Sequence, residues 1–313
     1  MLITSGAANA LFVLHFSLLD PGDEVLALDP SHYLGAPTSY WTCFEAEALP
    51  CPTKEELGWQ AGPEDLRSRI TENTKALFIN NPNNPTGAVY DDRFLREVVD
   101  IAGEYGLLLV GDEIYGLIVF DGKKSSSLGS IAGDVPSVIL NGISKVFMRP
   151  GWRLGYMCLH DPAEKAADLM RTIKNATNAY GLATRSVPTP ILAASTHAFE
   201  KAPLPESTEL VLELQKRRDY ILDRIDEIEG LSCQKPAGAL YAFPKVDLIP
   251  WIWRDDREFL MDLLREEQVL FNEGSSYGEH GFGHFRTLLM PEISTQEEIF
   301  NRAEDLLRKH KVN

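Results

Sequence analysis

Little in this sequence ties the protein to a membrane, a nucleic acid or an oxidising compartment. Cysteine is sparse: Cys43, Cys51, Cys158 and Cys233 are scattered without a Cys-x-x-Cys pair, so neither a thiolate zinc site nor a disulfide framework is indicated. Positive charge is short as well. With 30 lysines and arginines against 46 aspartates and glutamates, the formal net charge is −16, which leaves no basic surface for a phosphate backbone and argues against nucleic acid as a partner. No apolar run reaches the length of a membrane span, residues 1–24 carry no basic leader, and no repeat or low-complexity segment appears. These absences fit a protein of the reducing cytoplasm. They also mean that an anion site must be built from particular arginines.

What is present is ordinary for a globule: 44% hydrophobic and 24% charged residues in 313, enough for one large or two ordinary domains. Residues 24–28, 76–80, 107–110 and 137–140 read as strands. Between them, Leu11, Leu14, His15 and Leu18, then Phe94, Leu95, Val98, Val99, Ala102 and Tyr105, recur at helical spacing. Strand–helix–strand order predicts an α/β fold with a mostly parallel sheet, whose ligands sit at the carboxyl ends of the strands. Past residue 156 the pattern changes to long charged helices, notably 206–229, then strands near 240–243, 269–271 and 284–290 and a closing helix over 295–310. The expected division is a large domain over 1–178, with the remaining helices and a smaller α/β domain over 179–313.

Several residues at the predicted strand ends have chemical uses. Lys145 follows the strand at 137–140, where an amine withdrawn from water can form a Schiff base with an aldehyde, and Arg153 beyond it can grip a phosphate with paired N–H groups. A surface lysine and a structural arginine are the plainer alternative. Thr4-Ser5-Gly6-Ala7-Ala8-Asn9 opens a helix with small residues that let backbone N–H groups approach a phosphate, although Ser5 would serve equally as an ordinary cap. His32 or Tyr33 could stack on a planar ligand or simply pack in a loop. The run from Asn81 to Gly87 is either a mere turn or a rigid one that holds side-chain amides near the sheet edge. Asp112, at a strand end with Tyr115 near it, asks for a cation such as a protonated ring nitrogen, unless it caps a helix. Arg286, inside an apolar strand, asks for an anion, either a ligand or a local carboxylate.

In order and spacing, TSGAANAL, NNPNNPTG, DEIY, SK and PGWRLGY resemble the motifs of fold-type I pyridoxal-phosphate enzymes of the aminotransferase class I/II family. KPAGALYAFPKVD and GHFRTLLMP are most similar to the alanine and broad-specificity aminotransferases of bacteria and archaea. The resemblance covers nearly the whole chain. It implies a large and a small α/β domain, a homodimer, and pyridoxal 5'-phosphate joined covalently to Lys145. It implies ping-pong transfer of an amino group between an alanine-like amino acid and pyruvate or 2-oxoglutarate. Other pyridoxal chemistry, such as β-elimination or cyclisation, and a non-catalytic regulatory domain that binds the cofactor are the alternatives.

Carried over by residue, the resemblance makes Lys145 the Schiff-base lysine and general base. Asp112 becomes the partner of the pyridinium nitrogen, and Tyr115 and Asn84 the donors to the ring hydroxylate. Gly6, Ala7 and Ala8, with Arg153, would hold the phosphate; Arg286, assisted by Asn84, would clamp the substrate carboxylate. The chain departs from the family at two of these places. Gly142 stands where the family commonly has a phosphate-binding serine, with Ser144 beside the lysine instead, and His32 stands where an aromatic ring usually stacks. Family members also carry an arm before the TSGA-like loop, and without it a more open site with weaker cofactor retention is expected.

Overall fold

The computed structural model describes residues 1–35, 40–184, 187–202 and 204–311. Its centre is a seven-stranded sheet built from β1 (Leu2–Thr4), β2 (Glu24–Asp29), β3 (Glu47–Pro52), β4 (Thr74–Asn80), β5 (Leu108–Asp112), β6 (Ser137–Gly142) and β7 (Gly155–His160). The order is β1-β7-β6-β5-β4-β2-β3, parallel from β3 through β6, with β7 antiparallel to both β6 and β1. Both faces of β2, β4, β5 and β6 are covered, which explains why these strands are apolar runs instead of alternating. Val25, Ala27, Phe78 and Val110 pack with Leu14 of the helix Ala7–Leu18 and Ile173 of the helix Ala167–Thr184. Leu26, Leu77, Ile79 and Leu109 pack on the other side with Leu66, Leu95 and Val98 of the helices Pro63–Arg69 and Asp92–Tyr105.

Register levels the carboxyl ends of the parallel strands: Asn80 pairs with Asp112, and Asp112 with Leu140. At the antiparallel side, Gly155 pairs with both Gly142 and Thr4. A Cβ on Gly155 would lie 2.4 Å from the carbonyl carbon of Gly6, so only glycine lets the end of β1 close onto β7. That contact sets the start of the helix Ala7–Leu18 at the same edge as Asn80, Asp112 and the exit from β6.

The C-terminal part holds a three-stranded sheet, Asn272–Glu273 beside Phe285–Leu288 beside Tyr241–Ala242, backed by the helices Pro205–Glu227, Asp256–Glu267 and Ile293–Lys311. Its core contains Phe259, Phe271, Phe285 and Phe300, and also Ile114, Tyr115, Ile118 and Phe120 from the segment after β5. The two cores are thus joined through the chain that leaves Asp112. Residue 178 falls inside the continuous helix Ala167–Thr184. The strand expected at 269–271 is displaced: Val269 and Phe271 are drawn into the core, Phe271 stacking on Phe285 at 4.6 Å, and ladder pairing begins at Asn272. Among the described residues no helix is long and apolar enough to cross a membrane.

Candidate active site

The levelled strand ends enclose a cavity of about 360 Å³. Ala7, Ala8, His32, Asn84, Asp112, Tyr115, Ser144, Lys145, Arg153 and Arg286 all line it. Gly6, which the resemblance assigned to the phosphate with Ala7 and Ala8, is not in the lining; it lies directly behind Arg153, where a Cβ would come 2.4 Å from a guanidinium nitrogen.

One end of the cavity is formed by a helix start and a fixed guanidinium. Gly6 takes the cap position of the helix Ala7–Leu18 at φ 84° with no side-chain cap, so Ser5 does not play the ordinary capping role that its position allowed. Instead the Ser5 N–H donates to Asn9 Oδ1. The N–H groups of Asn9 and Ala10 donate to the Gly6 carbonyl at 3.1 and 3.2 Å, whereas those of Ala7 and Ala8, whose residues line the cavity, lie at the helix start, where no intrahelical acceptor exists. Arg153 is fixed beside them by donating to the carbonyls of Pro150, 3.0 Å, and Ser5, 3.1 Å. At Gly142 a Cβ would meet the Leu154 carbonyl oxygen at 2.7 Å, so the backbone leaves no room for the serine common at that place in the family.

Asp112 and Lys145 form the middle of the cavity. Asp112 ends β5, with Oδ1 accepting from the Ile114 N–H at 3.1 Å, and burial lifts its carboxyl to about 6 despite that bond and the Lys145 charge. It does not cap a helix of the kind the sequence alternative envisaged; a short turn follows it. Lys145 emerges from the turn after β6, half-buried, with Nζ 5.9 Å from the centre of the Tyr115 ring and no hydrogen-bond acceptor among the described residues. The Tyr115 hydroxyl lies 2.7 Å from that of Tyr241, and burial together with that neighbour pushes its pKa well above the usual value. Both loop rings border the cavity, but Tyr33 is also anchored in the core, stacked on Phe78 at 4.0 Å and bonded through its hydroxyl to His15 Nε2 at 2.9 Å. His32 borders the cavity, its imidazole held neutral, at about 4, by burial and by the charges of Arg286 and Lys145.

Arg286 closes the far end. Its Nη1 donates to Asn84 Oδ1 at 3.0 Å and its Nη2 to Asn272 Oδ1 at 2.9 Å, while the guanidinium carbon sits 4.3 Å from the Tyr241 ring and 5.1 Å from that of Tyr277. Nε is buried without an acceptor. The local carboxylate that would make this a structural ion pair is absent among the described residues. Sequence reasoning missed Tyr241, Tyr277 and Asn80. The Asn80 side chain accepts from the Asn84 N–H at 2.8 Å and donates to the Asp112 carbonyl at 3.0 Å, tying two strand ends together. Only the tyrosine-bearing motif around residue 241 carried a readable signal.

A mostly parallel α/β sheet with a lysine, a strand-end aspartate and two cavity arginines at one edge defines a class. A profile of the family described as aminotransferase class I and II matches residues 1–297, and the chain belongs to that family. More particularly, it is 37% identical over 296 residues to the alanine aminotransferase of Mycobacterium tuberculosis, covering 92% of this chain and 66% of that protein. It is 32% identical to the glutamate-pyruvate aminotransferase of Haemophilus influenzae, over 99% of this chain and 75% of that protein. The solved alanine aminotransferase from Pyrococcus furiosus superposes with a TM-score of 0.90 at 39% identity, covering 98% of this chain and 76% of that one. The chain thus spans about two thirds of the length of the mycobacterial relative.

Proposed function

We propose that this protein is a pyridoxal-phosphate-dependent transaminase that moves an amino group between an alanine-like L-amino acid and a 2-oxo acid such as pyruvate or 2-oxoglutarate. One observation carries the reading. Arg286 is set among amides and aromatic rings with an orphaned Nε, in the same cavity as Lys145 and Asp112. An arginine left without a carboxylate there suits the carboxylate of a substrate.

The chain's residues fit the cofactor. The helix start behind Gly6 and the fixed Arg153 suit a phosphate, and the chemistry of the rest suits a substituted pyridine. Lys145 would hold it covalently, Asp112 would face its ring nitrogen, Tyr115 and Asn84 its hydroxyl, and His32 one ring face, with Ser144 a further hydroxyl at the lysine. When bound, the cofactor supplies an electron sink for the charge left as an α-proton departs. Asp112 keeps a proton on the ring nitrogen, because a buried carboxylate favours a facing cation. Lys145 would move the α-proton as general base and acid, its amine lying in the same cavity as Arg286. Arg286 fixes the carboxylate and thereby which bond at the α-carbon is presented to the lysine. Release of the first oxo acid before the second binds makes the cycle ping-pong. The same reading makes the working unit a cytoplasmic homodimer, which sedimentation and cell fractionation test.

The decisive experiment mixes the purified protein with pyridoxal phosphate and then with L-alanine. A visible absorbance band that is trapped on Lys145 by borohydride, and that L-alanine bleaches with release of pyruvate, is the expected result. A band that forms equally in Lys145→Ala, or pyruvate without a pyridoxamine product, would refute the proposal.

A further inference from the structure

Resting on that reading, we infer that Tyr241 is a positioning residue that joins the substrate-carboxylate arginine to the tyrosine at the cofactor hydroxyl. The side chain is 4% exposed and faces both groups at once. Its hydroxyl is 2.7 Å from the Tyr115 hydroxyl, and its ring lies 4.3 Å under the Arg286 guanidinium. The backbone is pinned from both sides. Tyr241 pairs with Leu288 of Arg286's own strand, and a Cβ on Gly87 would come within 3.1 Å of the Tyr241 carbonyl oxygen, so the Asn-Pro-Thr-Gly turn packs directly on it.

The two contacts do different work. A ring face attracts a guanidinium without neutralising it, so Arg286 is held in place and partly dried while its charge stays available to an incoming carboxylate. A carboxylate in Tyr241's place would hold the arginine as firmly and cancel it. At the other end, a tyrosine hydroxyl has a single proton to give. If Tyr115 gives its proton to the cofactor oxygen, the hydrogen bond between the tyrosines requires Tyr241 to donate, and that donation makes Tyr115 a better donor in turn. Removing the Tyr241 hydroxyl therefore weakens the stabilisation of the ionised cofactor oxygen. Removing the whole ring also loosens the arginine.

The test uses the holoprotein and separates the two ends by two variants and two readouts besides activity. One readout is the pH midpoint of the visible cofactor band; the other is the Kd of propionate, a carboxylate without an amine, measured calorimetrically. Tyr241→Phe should raise the midpoint by about half a unit to one unit, the scale of one neutral hydrogen bond, and leave propionate binding within about twofold. Tyr241→Leu should raise the midpoint similarly and weaken propionate about fivefold or more, the scale of one cation–π contact. In a Tyr115→Phe background, Tyr241→Phe should move the midpoint no further.

Equal effects of Phe and Leu on propionate, or additive midpoint shifts in the double variant, would overturn the inference while leaving the transaminase reading intact. A wild-type protein that forms no band with Lys145 overturns both. Should Tyr241→Leu fail to fold by circular dichroism, the Phe variants still decide through the midpoint.

Discussion

Arg218 and Arg286 are both withdrawn from water, Arg218 fully and Arg286 in part, and their partners set their roles apart. Arg218 is fully buried but answered by two carboxylates, Asp121 at 2.7 Å and Asp219 at 2.7 Å, and by the Phe120 ring; it fastens the helix Pro205–Glu227 to the segment after β5. Arg286 has amides and rings only. Asp112 is the complementary case, a carboxylate at the cavity floor whose pKa burial raises from 3.8 to about 6. A raised carboxyl pKa means that the folded state resists ionisation. The cost is absent near pH 4, grows as pH rises and is fully present above about 6. Asp112→Asn removes it. The cofactor-free variant should therefore be more stable than the cofactor-free parent by about 1–2 kcal/mol at pH 8 and no more stable near pH 4, as urea unfolding at the two pH values will report. The same variant should lose pyridoxal phosphate on dialysis far faster than the parent. A variant that is less stable at pH 8 would contradict the claim that Asp112 awaits a cation.

Among the elements, the start of the helix Ala7–Leu18 is where a single methyl group should do most harm. Gly6 combines a positive φ of 84° with a guanidinium nitrogen 2.4 Å from where a Cβ would lie. Gly6→Ala should cost about 1 kcal/mol in backbone strain and push Arg153 away. Affinity for pyridoxal phosphate should then fall at least about tenfold, with that for phosphate-free pyridoxal nearly unchanged; equal losses for both would show that the cradle is not a phosphate site. The helix was legible in sequence from its apolar spacing, but its small-residue start was not distinctive alone, since an ordinary cap at Ser5 would look the same. The strands β2, β4, β5 and β6 were legible because burial on both faces leaves unbroken apolar runs. β3 was not: two of its six residues are prolines, tolerated because it lies at the sheet edge, and such a stretch reads as a loop. Nor could spacing reveal Tyr241 or Asn80, whose importance depends on which strand end meets which across the fold. Ser5 shows the converse, a good capping residue by type that the Gly6 backbone turns to another use.

Across the whole molecule, the strand that carries Arg286 is clasped to the large sheet by the segment just before it. Tyr277 accepts from the Ser31 N–H at 2.8 Å, His280 Nδ1 lies 3.1 Å from Asp29 Oδ2, and His284 Nε2 lies 3.4 Å from Glu55. The Tyr277 ring reaches back to Arg286, so the clasp and the proposed carboxylate subsite share a residue. Asp29 is completely buried, and burial lifts its carboxyl above the usual range, opposed by the bonds and charge of His280. His280→Ala removes the imidazole's share of that opposition, while the residue 280 backbone N–H still donates to Asp29, and leaves a buried carboxylate whose ionisation costs more. The loss should be about 1–2 kcal/mol at pH 7.5. It should shrink as pH falls toward the range where Asp29 is protonated, since a raised carboxyl pKa makes the ionised form costly only above the unfolded value. In an Asp29→Asn background the same substitution should cost little, because no charge remains to be answered. Propionate binding, read on the same variants, should weaken with the single substitution as Tyr277 loses its hold. A stability loss that is the same with aspartate and asparagine at position 29 would mean that the histidine contributes packing alone and that the two halves of the molecule are joined by their shared core around Ile114 and Phe120.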